Sequence, residues 1–362
     1  APAETLNGVT VGALNHDWVP TSERRGLTST FEAYPDLPMA IPSSRLGPGF
    51  ANAVKPDILL PGGREHLTPA TPGGSIGVSL AKMSRFFGLK VAAPPRPGGD
   101  PNATGASGNT SGATALASRT AHRIHDALED AYGEQFLALP RRHRALILKA
   151  LLVHPARWDP AVEAFIKNVV GPAEGRYHEE QKNNVRRYLG YGAVDGDTAV
   201  ACAADRATFW ATGTIGREQS MRVDVPIPAC IGGKAQPHSL AATLAWFSPV
   251  KPGRQIYRAA RLKLLEPDGL GKLGVTSANT PQPNQNQNRR GTTISRWWAG
   301  SKAPVVGADM TIPIILQREP DQPGFEDEDI SFGLAVTLEM PGVIEVYEQV
   351  RQRLGLRLPI RS

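Results

Sequence analysis

The chain has 362 residues, 41% of them hydrophobic and 20% charged, a balance that suits a globular protein with room for two domains. No run approaches the roughly 18 apolar residues of a membrane span, and two cysteines, Cys202 and Cys230, are too few for a disulfide framework. The formal net charge of +6 comes from basic residues spread along the sequence, so it does not by itself mark a polyanion-binding surface.

In chain order, residues 1–205 read as α/β. Short apolar runs bounded by Gly and Pro predict strands at 9–14, 57–60, 75–80 and 89–93. A Pro- and Gly-rich loop over 94–108 leads into a helix over 112–132, where Ala113, Leu116, Ala117, Ile124 and Leu128 form one apolar face. Further helices are predicted at 140–153, 161–170 and 179–189. The first residues carry neither an initiator Met nor a signal peptide and run straight into a strand, which predicts a piece of a longer polypeptide.

Beyond 205 the pattern turns to alternation, clearest in 221–227 and 332–339. With strands also predicted at 207–215, 240–247, 256–265, 293–298 and 310–316, residues 206–362 read as an antiparallel β-sandwich domain closed by a helix over 343–354. Within it Pro281-Gln-Pro-Asn-Gln-Asn-Gln-Asn288 is a polar low-complexity tract that predicts a mobile loop.

The segment with chemical content is Gly108-Asn-Thr-Ser-Gly-Ala-Thr114, at the mouth of the first long helix. A serine there presents its N–H among the unsatisfied donors at the positive end of the helix dipole, where an oxyanion is favoured. Gly112 and Ala113 leave room for a carbonyl to approach. Serine and threonine are also preferred helix N-caps, so the pattern alone leaves two readings, cap and nucleophile.

Thr110-Ser-Gly-Ala-Thr114 resembles the G-T-S-x-A-T-P nucleophile motif of subtilisin-like serine proteases, with Ser111 at the nucleophile position. Other segments follow in that family's order. Val9-Thr-Val-Gly-Ala-Leu14 resembles the strand after the family's oxyanion asparagine. Ser43-Ser-Arg-Leu-Gly-Pro48 and Val54-Lys-Pro-Asp-Ile-Leu-Leu-Pro-Gly-Gly63 resemble its S-S-R-G-P and K-P-D-I-x-x-P-G stretches. Leu189-Gly-Tyr-Gly-Ala-Val-Asp195 resembles the G-x-G-x-V-D close of the catalytic domain. The resemblance implies that 1–205 is the second half of a subtilisin-like parallel-sheet domain and that 206–362 is the added β domain of larger members. It also implies a serine endopeptidase acting on polypeptide, with Ser111 as nucleophile and Thr110 and Gly112 shaping its loop. Asn109 stands where the motif has Gly, and Ala115 where it has Pro.

By the family's chain order of Asp, His and Ser, the general base, its orienting carboxylate and the oxyanion asparagine are implied to lie upstream of Ala1. The upstream half of the catalytic domain is therefore the first implied partner. No histidine here replaces the base. At about 1.5 Å per residue, His122 and His125 lie roughly 16 and 21 Å along the helix from Ser111, and His66 reads as an exposed loop histidine. The rival reading is a catalytically inactive subtilase fold whose β domain binds proteins. No cofactor and no metal-ligand spacing is indicated, with a structural calcium left open. Cys202-Ala-Ala-Asp-Arg206 and the long second half resemble large bacterial subtilases that work inside the cell, some beside an AAA-type ATPase. That likeness implies a cytoplasmic setting and that partner. Arg289-Arg-Gly-Thr-Thr-Ile-Ser-Arg-Trp-Trp298 reads as a strand with core tryptophans and solvated arginines rather than a nucleic-acid surface.

Overall fold

The computed structural model describes residues 5–20, 30–70, 77–95, 97–170, 178–251, 253, 258–278, 280–307, 309–319 and 328–354. The first apolar run forms β1 (Val11–Leu14); after β2 (Phe31–Glu32), the second forms β3 (Ile58–Pro61). β1 and β3 pair in parallel, from Val11↔Ile58 to Leu14↔Pro61. β4 (His66–Ala70) joins β2 to β5 (Gly77–Leu80) in an antiparallel sheet, and β6 (Leu89–Ala92) pairs with β7 (Thr104–Ser107) as a hairpin. α1 (Asn109–Tyr132) then lies across β1 and β3, burying Ala113, Ala117, Thr120, Ile124 and Leu128. It is followed by α2 (Glu134–Leu137), α3 (Arg141–Val153), α4 (Pro160–Val169), α5 (His178–Leu189) and α6 (Gly196–Val200). The α/β class expected for this region is present. Among the described residues, parallel pairing is confined to β1 with β3 and a bridge from Leu59 to Ala193.

The later residues form β8 (Arg206–Ile215), β9 (Ser220–Pro226), β10 (His238–Trp246), β11 (Leu262–Leu264), α7 (Leu270–Leu273), α8 (Gln285–Asn288), β12 (Thr293–Gly300), β13 (Thr311–Arg318), β14 (Ile330–Glu339) and α9 (Val346–Leu354). They make two antiparallel sheets, ordered β12-β10-β14-β8 and β11-β13-β9. β14 is buried on both faces. Gly333 lies against the backbone of Leu146 in α3, while Phe332 points the other way, towards Met221 of β9. One hydrophobic cluster runs unbroken from Ala13 and Ile58, through Leu146 and Ile147, to Trp246, Trp298 and Ile314.

Polar groups thread this core. His154, the C-cap of α3, bonds Thr243 Oγ1 through Nδ1 at 2.8 Å and Thr337 Oγ1 through Nε2 at 2.7 Å. Thr337 continues to Thr208 and Thr243 to Ser295, so a row of hydroxyls crosses all four strands with the imidazole at its centre. Lys149 of α3, also buried, donates to Asn7 O at 3.1 Å and Thr292 Oγ1 at 2.8 Å, tying the segment before β1 to the start of β12.

Four expectations change. The long helix begins at Asn109 rather than 112, because the Asn-Thr-Ser stretch is its first turn. Of the strand predicted at 256–265, only Leu262–Leu264 forms, and 256–257 lie outside the described residues, as do 75–76 of the third predicted strand. Arg296 is buried, not solvated, although Trp298 is core as expected. The 281–288 tract is folded, with α8 capped by a reciprocal pair in which Asn284 accepts from Gln287 N–H and Gln287 from Asn284 N–H. Cys202 and Cys230 are free thiols.

Candidate active site

The carboxyl ends of β1 and β3 meet the amino end of α1, the edge at which open α/β sheets leave a crevice for ligands. Two glycines make that meeting possible. A Cβ on Gly62, which follows β3, would lie 2.5 Å from the Ala13 methyl; a Cβ on Gly108 would lie 2.5 Å from the Gly62 carbonyl oxygen. Asn109 N–H donates to that same oxygen at 2.7 Å. Strand end and helix mouth thus touch backbone to backbone.

Asn109 enters the helix with φ +63°, in the left-handed region that asparagine tolerates better than most side chains. Thr110 follows, its carbonyl taking Thr114 Oγ1 at 2.7 Å, and then Ser111, exposed in the first turn of a 24-residue helix. At that place backbone N–H groups lack intrahelical acceptors and the dipole is positive, the setting in which a developing oxyanion is stabilised. Gly112 completes the loop; a Cβ there would sit 2.7 Å from Leu89 Cδ1, so its lack of a side chain is steric.

Beside this mouth the structure gathers polar residues that the sequence reading passed over. Asn15, just after β1, donates to Glu32 Oε1 at 2.8 Å and accepts from Glu65 N–H at 3.2 Å. Arg64 reaches Glu32 at 2.8 Å and Asp17 at 3.5 Å, and Asp17 holds Gly88 N–H at 3.1 Å. Arg64 and Asp17 are buried, so each charge depends on its partner. The signal was present as Asn15-His-Asp17 directly after the first apolar strand and Arg64-Glu-His66 two glycines after the second. Over Gly88 opens a groove of about 1040 Å³, lined by Trp18, Met83, Arg85, Phe86 and Lys90 among others. Trp18 is 64% exposed there, and the Arg85 guanidinium lies 4.8 Å from the Phe86 ring centre.

His66 departs from expectation. It is buried on β4, stacked on Phe87 with ring centres 3.9 Å apart, and bonded through Nδ1 to Thr30 Oγ1 at 3.2 Å. Burial pushes its pKa below the usual imidazole value, against the opposing pull of Glu32 and Asp17. His143, His154 and His238 are bonded to groups remote from Ser111: Thr212, the hydroxyl row, and the carbonyls of Gln236 and Leu273. His122 is exposed on α1, and His125 pairs with Glu129 at 3.6 Å. Among the described residues no cluster of His, Cys, Asp and Glu is arranged to hold a metal ion.

Residues 1–192, more than half of the chain, match the family model of the subtilase family. The chain belongs to the subtilase family. No curated protein matches it. Among solved structures, the subtilase chain is similar at 11% identity to Aeromonas hydrophila PliG, a periplasmic lysozyme inhibitor of g-type lysozyme, over 37% of this chain and 87% of that one, with a TM-score of 0.18. It is similar at 9% identity to the acid-stable capsid of Helicobacter pylori bacteriophage KHP30, over 38% of this chain and 90% of that one, with a TM-score of 0.19. A cyanophage Pam1 capsid chain gives 16% identity, coverages of 38% and 82%, and a TM-score of 0.18. At these scores the likenesses carry no argument about fold. For a subtilase, the informative departure is Asn109. Its motif position ordinarily holds Gly, and the left-handed backbone here is one that Gly or Asn supplies.

Proposed function

We propose that this subtilase is a serine endopeptidase in which Ser111 is the nucleophile. The observation that carries the reading is the exposed Ser111 in the first turn of α1, at the carboxyl ends of the parallel strands, within a chain of that family. Ser111 Oγ attacks a peptide carbonyl carbon while a histidine supplied by the upstream half of the catalytic domain takes its proton. The carbonyl oxygen, now negative, accepts from the N–H of Ser111. The same imidazolium then protonates the departing amine, leaving an acyl-serine for water to hydrolyse. Thr110 and Gly112 hold the loop, and the groove over Gly88 lies where one side of an extended polypeptide passes. The two antiparallel sheets that follow α6 are read as the β-sandwich domain, its core continuous with the α/β region through α3.

Fluorophosphonate labelling of the natural protein, with the adduct mapped by peptide mass spectrometry, tests this. The probe reacts with a serine only when base and oxyanion donors are in place. An adduct on Ser111 that Ser111→Ala abolishes is the expected result. Well-folded protein that takes no label at Ser111 overturns the reading in favour of an inactive subtilase fold.

A further inference from the structure

We propose that the exposed Arg187, Arg289 and Arg290, backed by the buried Arg186 and the half-buried Arg258 and Arg261, form a docking surface for an acidic stretch of polypeptide, at the end of the parallel strands opposite Ser111. They come from three places in the chain: the last turn of α5, the segment before β11, and the residues after α8. Contacts draw the three together. Arg186 Nη1 donates to Asn52 O at 2.9 Å, and the neighbouring Ala53 methyl abuts Gly291. Arg258 Nη1 donates to Gly291 O at 2.6 Å and to Arg289 O at 3.1 Å. Asn52 and Ala53 lead into β3 from its amino end, and Arg187 O accepts from Gly47 N–H on the same side. Ser111 sits beyond the carboxyl end of β3, so the surface is separate from the candidate active site.

The arginines press on one another electrostatically. Arg186 is pulled down to about 10, first by burial and then by Arg290 and Arg187. Arg258 is likewise lowered to about 10 by burial and Arg261, and Arg261 is lowered by burial and Arg289. Counter-charge is scarce. Glu319 is shared between Arg261 and Lys263, and among the described residues no carboxylate pairs with the other five arginines. Crowding of like charge without carboxylates suits an external anion. Guanidinium forks match carboxylates in pairs; Arg187, Arg289 and Arg290 are exposed, and among the described residues the Arg187 guanidinium is held only by a long 3.4 Å bond to the neutral Asn184 Oδ1.

An acidic polypeptide fits better than nucleic acid. Base recognition without sequence preference uses exposed aromatic faces. The tryptophans nearest in sequence are taken: Trp298 is buried with its indole N–H on Glu266, and Trp297 lies 5.0 Å beneath the Arg157 guanidinium. The choice of a polypeptide partner also rests on the proteolytic reading, since an acidic segment docked here would hold a protein near the nucleophile.

Binding to the natural protein carrying Ser111→Ala is measured by fluorescence anisotropy with a labelled Glu-rich peptide, its Gln counterpart, and single-stranded DNA of equal charge. Because no turnover is needed, this outcome is independent of the labelling at Ser111. Expected is binding of the Glu peptide that weakens as salt rises and falls by about tenfold or more in Arg187→Glu/Arg289→Glu/Arg290→Glu, with Arg119→Glu/Arg217→Glu as the distant control unaffected. A thermal melt establishes that the triple variant is folded; if it is not, Arg289→Gln/Arg290→Gln replaces it. Equal binding of the Gln peptide, an equal loss in the control, or preference for DNA overturns the proposal.

Discussion

Asn109 has two contacts with its neighbours' chemistry: its N–H is fixed on Gly62 O, and its φ of +63° turns the chain into α1 one residue before Thr110 and two before Ser111. A side chain that resists the left-handed region would displace Ser111 rather than merely strain residue 109, with a cost of about 1–3 kcal/mol for holding it there. Asn109→Gly is therefore expected to keep the fluorophosphonate labelling rate of Ser111, and Asn109→Val to lower it by about tenfold or more while the melting temperature changes little. A fast-labelling Asn109→Val would show that this backbone turn does not position the serine. The motif was legible in the sequence as a string of residue types. The turn was not, because Asn in a Gly position reads equally as a lost glycine or a tolerated one until φ is known. Asp17 and Arg64 were missed for a related reason: pairing across 47 residues leaves no local period.

At the scale of elements, β12 is an edge strand of the four-stranded sheet, and the 281–288 tract covers that edge. Gln282 Oε1 accepts from Trp297 N–H at 2.7 Å while its Nε2 donates to Trp297 O at 2.6 Å, so one side-chain amide stands in for a peptide unit of a neighbouring strand. Thr276 and Ala299 exchange backbone bonds one step along, and Asn288 Oδ1 reaches Ser295 N–H at 3.4 Å. Open edges invite pairing with another chain. Gln282→Leu removes both bonds and is expected to cost about 1–3 kcal/mol in urea unfolding and to raise light scattering on heating. An unchanged midpoint would mean water replaces the amide at no loss. The strands themselves were largely readable, because alternation over seven or more residues is a strong signal. The tract was not, since composition cannot distinguish amides that are solvated from amides that complete a ladder. β2, β4 and β7 were also unread, β2 being only two residues long and β4 and β7 short and interrupted by Pro69 and Gly105.

The whole molecule is bound together by α3, whose apolar face serves both the α1 side and the four-stranded sheet. His154 at its end is fully buried, and burial, with Arg157 and Arg206 nearby, pulls its pKa down to about 3. Its two ring nitrogens take one donor and one acceptor role among the hydroxyls, which suits the neutral form. Above about pH 6.5 folded and unfolded chains are both neutral at this residue and its contribution is complete. As pH falls towards 3, the unfolded chain gains a proton that the folded one refuses, so stability is lost progressively. The urea midpoint is expected to fall between pH 7 and 4, and His154→Gln, which keeps a donor and an acceptor, to fall less steeply. Parallel profiles would assign the acid sensitivity to other groups.

Gly333 has a meaning for ancestry as well as for packing. At the crossing of α3 with β14 a single methyl would lie 2.5 Å from the Leu146 backbone, so helix and strand are seated on each other with no spare layer between them. Segments joined that tightly cannot be traded like cassettes. A recombination event that brought in a different C-terminal sheet would also have to bring a bare backbone to that one spot, and a row of hydroxyls to meet His154. A substitution on either side of this seam is therefore felt on the other, in the helix of one portion and the sheet of the next.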